Sequence, residues 1–465
     1  MSEPPVRIDE TLWEIPASAR DDMRVPARVF ADDELLQAIL TDRSLEQLQN
    51  VATLPGIVEA AIAMPDIHQG YGFPVGGLAA TAPPDGVVSP GGVGYDINCG
   101  VRLLAAPFGH EGLDDRARGA LVRAIARHVP TGAGKGGPLR LRGSDLDAVL
   151  EQGPRWLVEH RGVGTPDDVR ATESEGCLEG ADPERVSERA RERGADQLGT
   201  VGSGNHFIEL QRVEDVPDPE TAAEFGLRAG QVTVLIHSGS RGLGHQVCTD
   251  YVRAMDRSLE RHGITLPDRQ LSCAPLDSDE GRAYLGAMAA AANFAWANRH
   301  AIAAGVRRAI AEIMGEDAAA ATRQVYDVAH NVAKLEEHGG RRVCVHRKGA
   351  TRAFPGQAVF IPGSMGTASY VLVGREGSME RSFGTVCHGA GRKLSRTAAK
   401  KQVQGAALRR ELEAQGIAVA AASSRGLAEE APLAYKDVDA VVRVVEKAGL
   451  AGRVARLRPI GVVKG

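Results

Sequence analysis

Glycine, which fills 55 of the 465 positions, constrains this chain more than any other residue. Much of it gathers in runs: GYGFPVGG (70–77), PGGVGYDINCG (90–100), GSGNHF (202–207), SGSRGLGH (238–245), PGSMGTASY (362–370) and CHGAGR (387–392). Without a Cβ, these runs let the backbone turn sharply or approach a ligand closely. Each lies beside polar or metal-capable side chains. For one run alone, a surface turn explains as much.

Between the runs, β-branched stretches at 232–236 (VTVLI), 343–346 (VCVH), 358–361 (AVFI) and 370–373 (YVLV) read as strands. The Ala-rich stretch 280–314 and the stretch 395–415 read as helices. Strands and helices mix without a regular βαβ alternation. The expected class is therefore α+β, a single large mixed domain over 1–465 with central sheets flanked by helices and glycine-rich active-site loops. Residues 160–196 are polar and charged, an expected mobile excursion or short helical insert.

Composition narrows the function classes. A hydrophobic share of 43% and a charged share of 25% are those of a globular protein, and no apolar run is long enough to span a membrane. The opening residues lack the basic and apolar blocks of a secretory signal. Six scattered cysteines without a C-x-x-C pair fit a reducing, cytoplasmic setting. A net charge of −5 argues against a protein that coats nucleic acid nonspecifically, while leaving room for a local basic groove.

Asp96 and Cys99 lie three apart in GGVGYDINCGVR, and His206, His237 and His330 occupy similar glycine-rich or polar settings. One O, one S and three N donors exceed what one tetrahedral ion needs, which points to two metals sharing a thiolate. Mixed ligation of this kind suits Zn, Co, Fe or Mn. His388 in GTVCHGAGR is a candidate nucleophile toward phosphorus, with a sixth metal ligand as its rival role. TGAGKGG (131–137) fails as a phosphate loop, because Val129 replaces the first glycine and Gly136 the Ser or Thr; it reads as a turn. GSRGLG lacks the spacing of a dinucleotide fingerprint, and neither G-x-S-x-G nor H-E-x-x-H occurs.

The strings MPDIHQGYGFPVGG, GGVGYDINCGVR, GSGNHFIE, HSGSRGLGHQ, AAAANFAWANRH, DVAHNVAK, PGSMGTASYV, CHGAGR, EEAPLAYKDVD and GVVKG resemble those of the RtcB family of GTP-dependent RNA-splicing ligases, from residue 64 to the C-terminus. The resemblance implies a manganese-dependent enzyme that joins RNA 3′-phosphate or 2′,3′-cyclic phosphate ends to 5′-hydroxyl ends. GTP would guanylylate His388. Two Mn ions would sit on Asp96, Cys99, His206, His237 and His330, with Cys99 bridging, Asp96 and His206 on one ion, and His237 and His330 on the other.

The guanylate pocket implied in the same way comprises Asn205, His206, Glu209, His330, Asn331, Pro362, Gly363, Ser364, Met365, Ser369, His388, Gly389, Ala390, Gly391 and Lys464. Tyr435 is a candidate for stacking on the base. Arg241, Arg299, Arg347, Lys348, Arg352 and Arg392 are candidates for the RNA groove. The resemblance also permits an archease-like activator. A dinuclear metal phosphoesterase acting on cyclic or terminal phosphates is the competing function, and a noncatalytic metal-dependent RNA-binding protein is a third.

Overall fold

A computed structural model describes residues 4–132 and 134–465. It shows a mixed α/β architecture in which two large sheets are flanked by helices. The first sheet has seven strands in the order Val6–Arg7, Leu12–Ile15, Ala27–Phe30, Ala61–His68, Val75–Thr81, Arg341–Lys348 and Asn331–His338. The second runs Arg323–Ala329, Gly100–Gly109, Gln231–Ser238, Phe207–Asp215, Ala451–Lys464, Ser369–Gly374 and Ala358–Ile361, with Ala418–Ala421 added in parallel to Ala451–Lys464. The short antiparallel pair Ala350–Arg352 with Thr385–Cys387 stands apart.

The four β-branched stretches all lie in strands, and Gln231–Ser238 is buried at every position, as suits a strand inside a covered sheet. The Ala-rich stretch is one helix of 36 residues, Asp279–Met314, about 54 Å long at the usual rise. Its alanines let it pack closely against Leu146, Leu150, Trp156 and Leu157. On the first sheet, Val441, Val442, Val444 and Val445 of the amphipathic helix Val438–Lys447 share a core with Ile62 and Leu78.

One helical expectation differs from the structure. The stretch 395–415 is not one helix but two, Arg396–Gln402 and Gly405–Ala414. Gly405 is pressed against the Ser424 carbonyl, where any Cβ would collide. Of the two alternatives for 160–196, the structure shows the short helical insert and not the excursion. It docks on the long helix and on the second sheet: Arg307 of the helix clamps Asp168 through two hydrogen bonds of 2.7 and 2.8 Å, and the Gln324 amide of the edge strand donates to the Ala171 carbonyl at 2.8 Å. Within TGAGKGG, Ala133 lies outside the described residues, as do Met1–Glu3 of the opening segment. Among the described residues no helix is long and apolar enough to cross a membrane.

The chain crosses between the sheets at a functionally important point. Strand Arg323–Ala329 edges the second sheet and Asn331–His338 edges the first, so His330 is the single residue between them.

Candidate active site

Strand register brings the metal-capable residues together. His237 pairs with Val101 on one side and Phe207 on the other. Cys99 and His206 each stand just before a neighbouring strand, so both arrive beside His237. The His330 amide donates to the Cys99 carbonyl at 2.9 Å, which draws in the fourth residue from the crossing point. Asp96 closes the group from the loop before Cys99. Gly239 leaves it room, since a Cβ there would run into the Asp96 carboxylate.

The result is two triads with a common member: Asp96, Cys99 and His206, and Cys99, His237 and His330. Cys99 Sγ lies 3.3 Å from Nε2 of both His206 and His237. Nε2 of His237 and His330 are 3.2 Å apart, and Asp96 Oδ2 is 2.8 Å from His206 Nε2. His206 donates its Nδ1 proton to the Val201 carbonyl at 3.0 Å, which aims Nε2 at the cluster, where a bound cation would take its lone pair in place of a proton.

The donor chemistry fits cations. Burial holds His237 and His330 well below the ordinary imidazole pKa, so both stay neutral. Burial, with Asp96 adding to it, pushes the Cys99 thiol up, so a cation is what would hold it as thiolate. Burial opposes ionisation of Asp96, yet His206 and Arg241 hold it at about 2. Soft S, neutral N and anionic O donors around a shared thiolate suit two borderline divalent ions.

His388 follows the strand Thr385–Cys387, and its ring centroid lies 5.0 Å from that of His330. Asp66, fully buried on strand Ala61–His68, accepts from both the Nδ1 and the backbone N–H of His388 through Oδ2, at 2.6 and 3.1 Å. Nδ1 thus carries the proton and Nε2 presents a lone pair. Gly391, at φ +74°, lies against the Asp66 carbonyl where no Cβ fits. Asp66 was not singled out from the sequence, although it stands in the string MPDIHQGYGFPVGG.

The triads and His388 open into a cavity of about 420 Å³. Of the expected guanylate residues, Asn205, His330, Asn331, Pro362, Gly363, His388, Gly389, Ala390 and Gly391 line it. His206, Glu209, Ser364, Met365, Ser369 and Lys464 do not. Ser369 Oγ joins the Gln211 amide to the Gly363 N–H, at 3.1 and 3.2 Å, and Met365 is packed against Leu408, Leu412 and Leu427. Lys464 is no frayed tail: it is 1% exposed, and its ammonium donates to the carbonyls of Gly204 and His206.

Glu209 is also buried, with Oε2 accepting from the Gln211 amide at 2.8 Å and Oε1 without a partner. Burial raises its carboxyl to about 8. Asn331 spends both ends of its amide inside the protein, donating to the Asp96 carbonyl at 3.0 Å and accepting from the Gly349 N–H at 2.8 Å.

The arginine candidates need correction. Arg299 and Arg347 are fully buried, paired with Asp327 and Glu336, and cannot face an RNA groove. Arg352 is part-buried and donates to Gln357 at 2.9 Å. Arg392 is committed to Glu430, Tyr435 and the carbonyls of Leu394 and Glu429, and its guanidinium covers one face of the Tyr435 ring at 4.9 Å. Only the other face of Tyr435 is left for stacking. Lys348 lines the cavity while donating to the carbonyls of Tyr71 and Phe73. Arg241 spans to Thr200 Oγ1 at 3.2 Å.

Known proteins resemble the chain along almost its whole length. A family model described as tRNA-splicing ligase RtcB matches residues 47–465. The tRNA-splicing ligase RtcB of Thermococcus kodakarensis is 53% identical over 477 residues, covering 99% of this chain and 98% of that protein. That of Archaeoglobus fulgidus is 51% identical with the same coverage. The RNA-splicing ligase RtcB of Mycobacterium tuberculosis is 50% identical over 442 residues, 90% of this chain and 100% of its own. With the family model and these relatives matching along almost the whole length, the chain belongs to the RtcB family.

Proposed function

We propose that the protein is an RNA ligase, acting as one unit over residues 1–465, that joins RNA 3′-phosphate or 2′,3′-cyclic phosphate ends to 5′-hydroxyl ends with GTP. The observation that carries this reading is His388: an imidazole anchored at Nδ1 by Asp66 presents Nε2 to a cavity walled by both triads. A phosphoesterase would activate water at the triads and needs no covalent histidine.

In this reading Asp96 and His206 would hold one divalent ion and His237 and His330 the other, with Cys99 shared; manganese is the metal the family resemblance implies. Bound there, the ions would offset charge on phosphate oxygens and align nucleophile with leaving group. His388 Nε2 attacks the α-phosphorus of GTP, forming a P–N bond as the P–O bond to pyrophosphate breaks. Asp66 stabilises the positive charge that develops on the ring. An RNA 3′-phosphate oxygen then takes the guanylate, and the P–N bond breaks to return His388. Finally the 5′-hydroxyl oxygen attacks the activated 3′-phosphate, losing its proton, and GMP leaves.

Glu209 would read the guanine edge, since the base N1 and N2 donors supply the partner that Oε1 lacks. Lys464 lies near it, across the strand pair that joins Val462 to Glu209. A cytoplasmic location and an archease-like activator belong to the same proposal.

The test is to incubate the protein with Mn, GTP and two RNAs, one ending in a 3′-phosphate or a 2′,3′-cyclic phosphate and the other beginning with a 5′-hydroxyl. The expected result is joined RNA that requires GTP. Release of inorganic phosphate or opening of cyclic ends, with no joined product, would show the phosphoesterase instead.

A further inference from the structure

The long helix Asp279–Met314 supplies no residue to the cavity lining, yet Asn298 and Arg299 reach the segments that carry both triads. Both are fully buried. Arg299 Nε donates to the two oxygens of Asp327 at 3.1 and 3.0 Å. Nη1 donates to the carbonyls of Asn98 and Ser238 at 2.7 and 2.9 Å. Nη2 donates to Asn98 Oδ1 at 3.0 Å and Asp327 Oδ1 at 2.7 Å. No N–H of the guanidinium is left over.

The acceptors are not arbitrary. Asn98 precedes Cys99, Ser238 follows His237, and Asp327 lies on the strand that runs into His330. Asn298 covers the remaining segment: its Oδ1 accepts from Gly199 and Thr200 N–H at 2.8 and 3.2 Å, and its Nδ2 donates to the carbonyls of Thr200 and Gly239 at 3.1 and 3.0 Å. That loop ends at Val201, whose carbonyl orients His206. Gly100 admits the guanidinium, since a Cβ there would lie 2.8 Å from Arg299 Cζ.

We infer that Asn298 and Arg299 are positioning residues that fix the backbones bearing Cys99, His206, His237 and His330, so that both triads are assembled before any ion arrives. This rests on the triads being metal sites. A planar guanidinium can address two carbonyls, an amide and a carboxylate in one plane, whereas an ammonium is a point charge with three donors. Changing Arg299 does not strand the carboxylate, because Asp327 keeps Arg102 at 2.7 Å.

The experiment compares wild type, Arg299→Lys and Asn98→Gly by Mn(II) and Co(II) titration, the Co(II) absorption spectrum and thermal unfolding of the metal-free proteins. Asn98→Gly keeps the left-handed backbone at φ +50° while deleting the amide that receives Nη2. Folded Arg299→Lys is expected to bind both ions at least about tenfold more weakly, the usual scale for losing an outer partner, with altered cobalt–thiolate absorption. Asn98→Gly should shift the same readouts in the same direction and decides the matter if the lysine variant does not fold. Wild-type isotherms and cobalt spectrum in a folded variant would overturn the inference. Absence of ion binding by wild type would instead overturn the metal-site reading beneath it.

Discussion

Asp66→Asn isolates the step at which His388 becomes a nucleophile. In the structure Oδ2 of Asp66 receives two hydrogen bonds from His388, the shorter being the Nδ1 bond of 2.6 Å, and the carboxylate is sealed from water. A hydrogen bond to a charged partner contributes about 1.5–3 kcal/mol and a neutral one about 0.5–1.5 kcal/mol. Losing the charge while keeping the geometry therefore removes about 1–2 kcal/mol from the charge-developing transition state. That is roughly a 5- to 30-fold slower guanylylation. If the new amide turns its NH₂ toward the ring, the proton moves to Nε2 and the loss approaches the roughly 10⁴-fold seen when a triad Asp becomes Asn. The backbone N–H of His388 favours the carbonyl end at this position, so the smaller figure is the expectation. Rapid-quench measurement of adduct formation from labelled GTP reads the rate, and Mn titration should match wild type because Asp66 belongs to neither triad. A variant within about threefold of wild type, with metal binding intact, would refute the role assigned to Asp66.

Three further outcomes follow from particular contacts. Cys99→Ser should weaken binding of both ions by more than the roughly 10–100-fold that loss of an outer partner costs, and titration showing two ions at wild-type affinity would exclude the shared thiolate. Gly391→Ala should lose at least about 1–2 kcal/mol of stability in urea unfolding, because a left-handed backbone and the Asp66 carbonyl both oppose a Cβ; equal stability would contradict this packing. Glu209, raised by burial to about 8, is protonated when folded and ionised when unfolded between its ordinary value of 4.5 and about 8, so its contribution to stability falls as pH rises through that window. Glu209→Gln should therefore flatten the decline in melting temperature between pH 5 and 8, and an unchanged slope would show the carboxyl is not the source.

How much of this was legible in the sequence depended on the kind of signal. Asp96, Cys99, His206, His237 and His330 stood out because metal-capable side chains in glycine-rich or polar settings advertise their chemistry locally. His388 did so for the same reason. Asp66 was silent: it is one carboxylate on a strand, and its partner lies 322 positions away. Arg299 and Arg347 misled because charge in a sequence suggests a surface, whereas the cross-chain carboxylates of Asp327 and Glu336 let both be buried. The 160–196 segment stayed open between an excursion and a helical insert, since Asp168 and Glu173 find cations only in the fold. The helical pattern of 395–415 gave no hint of the break at Val403 and Gln404, which take extended backbone angles.

The central claim is that His388 carries guanylate. Incubating the protein with Mn and labelled GTP, then mapping any acid-labile adduct by mass spectrometry, tests it directly. The account predicts GMP on His388 and no adduct in His388→Ala, which should still bind metal. Wild-type protein that binds Mn and GTP yet never carries label, or label on another residue, would contradict it.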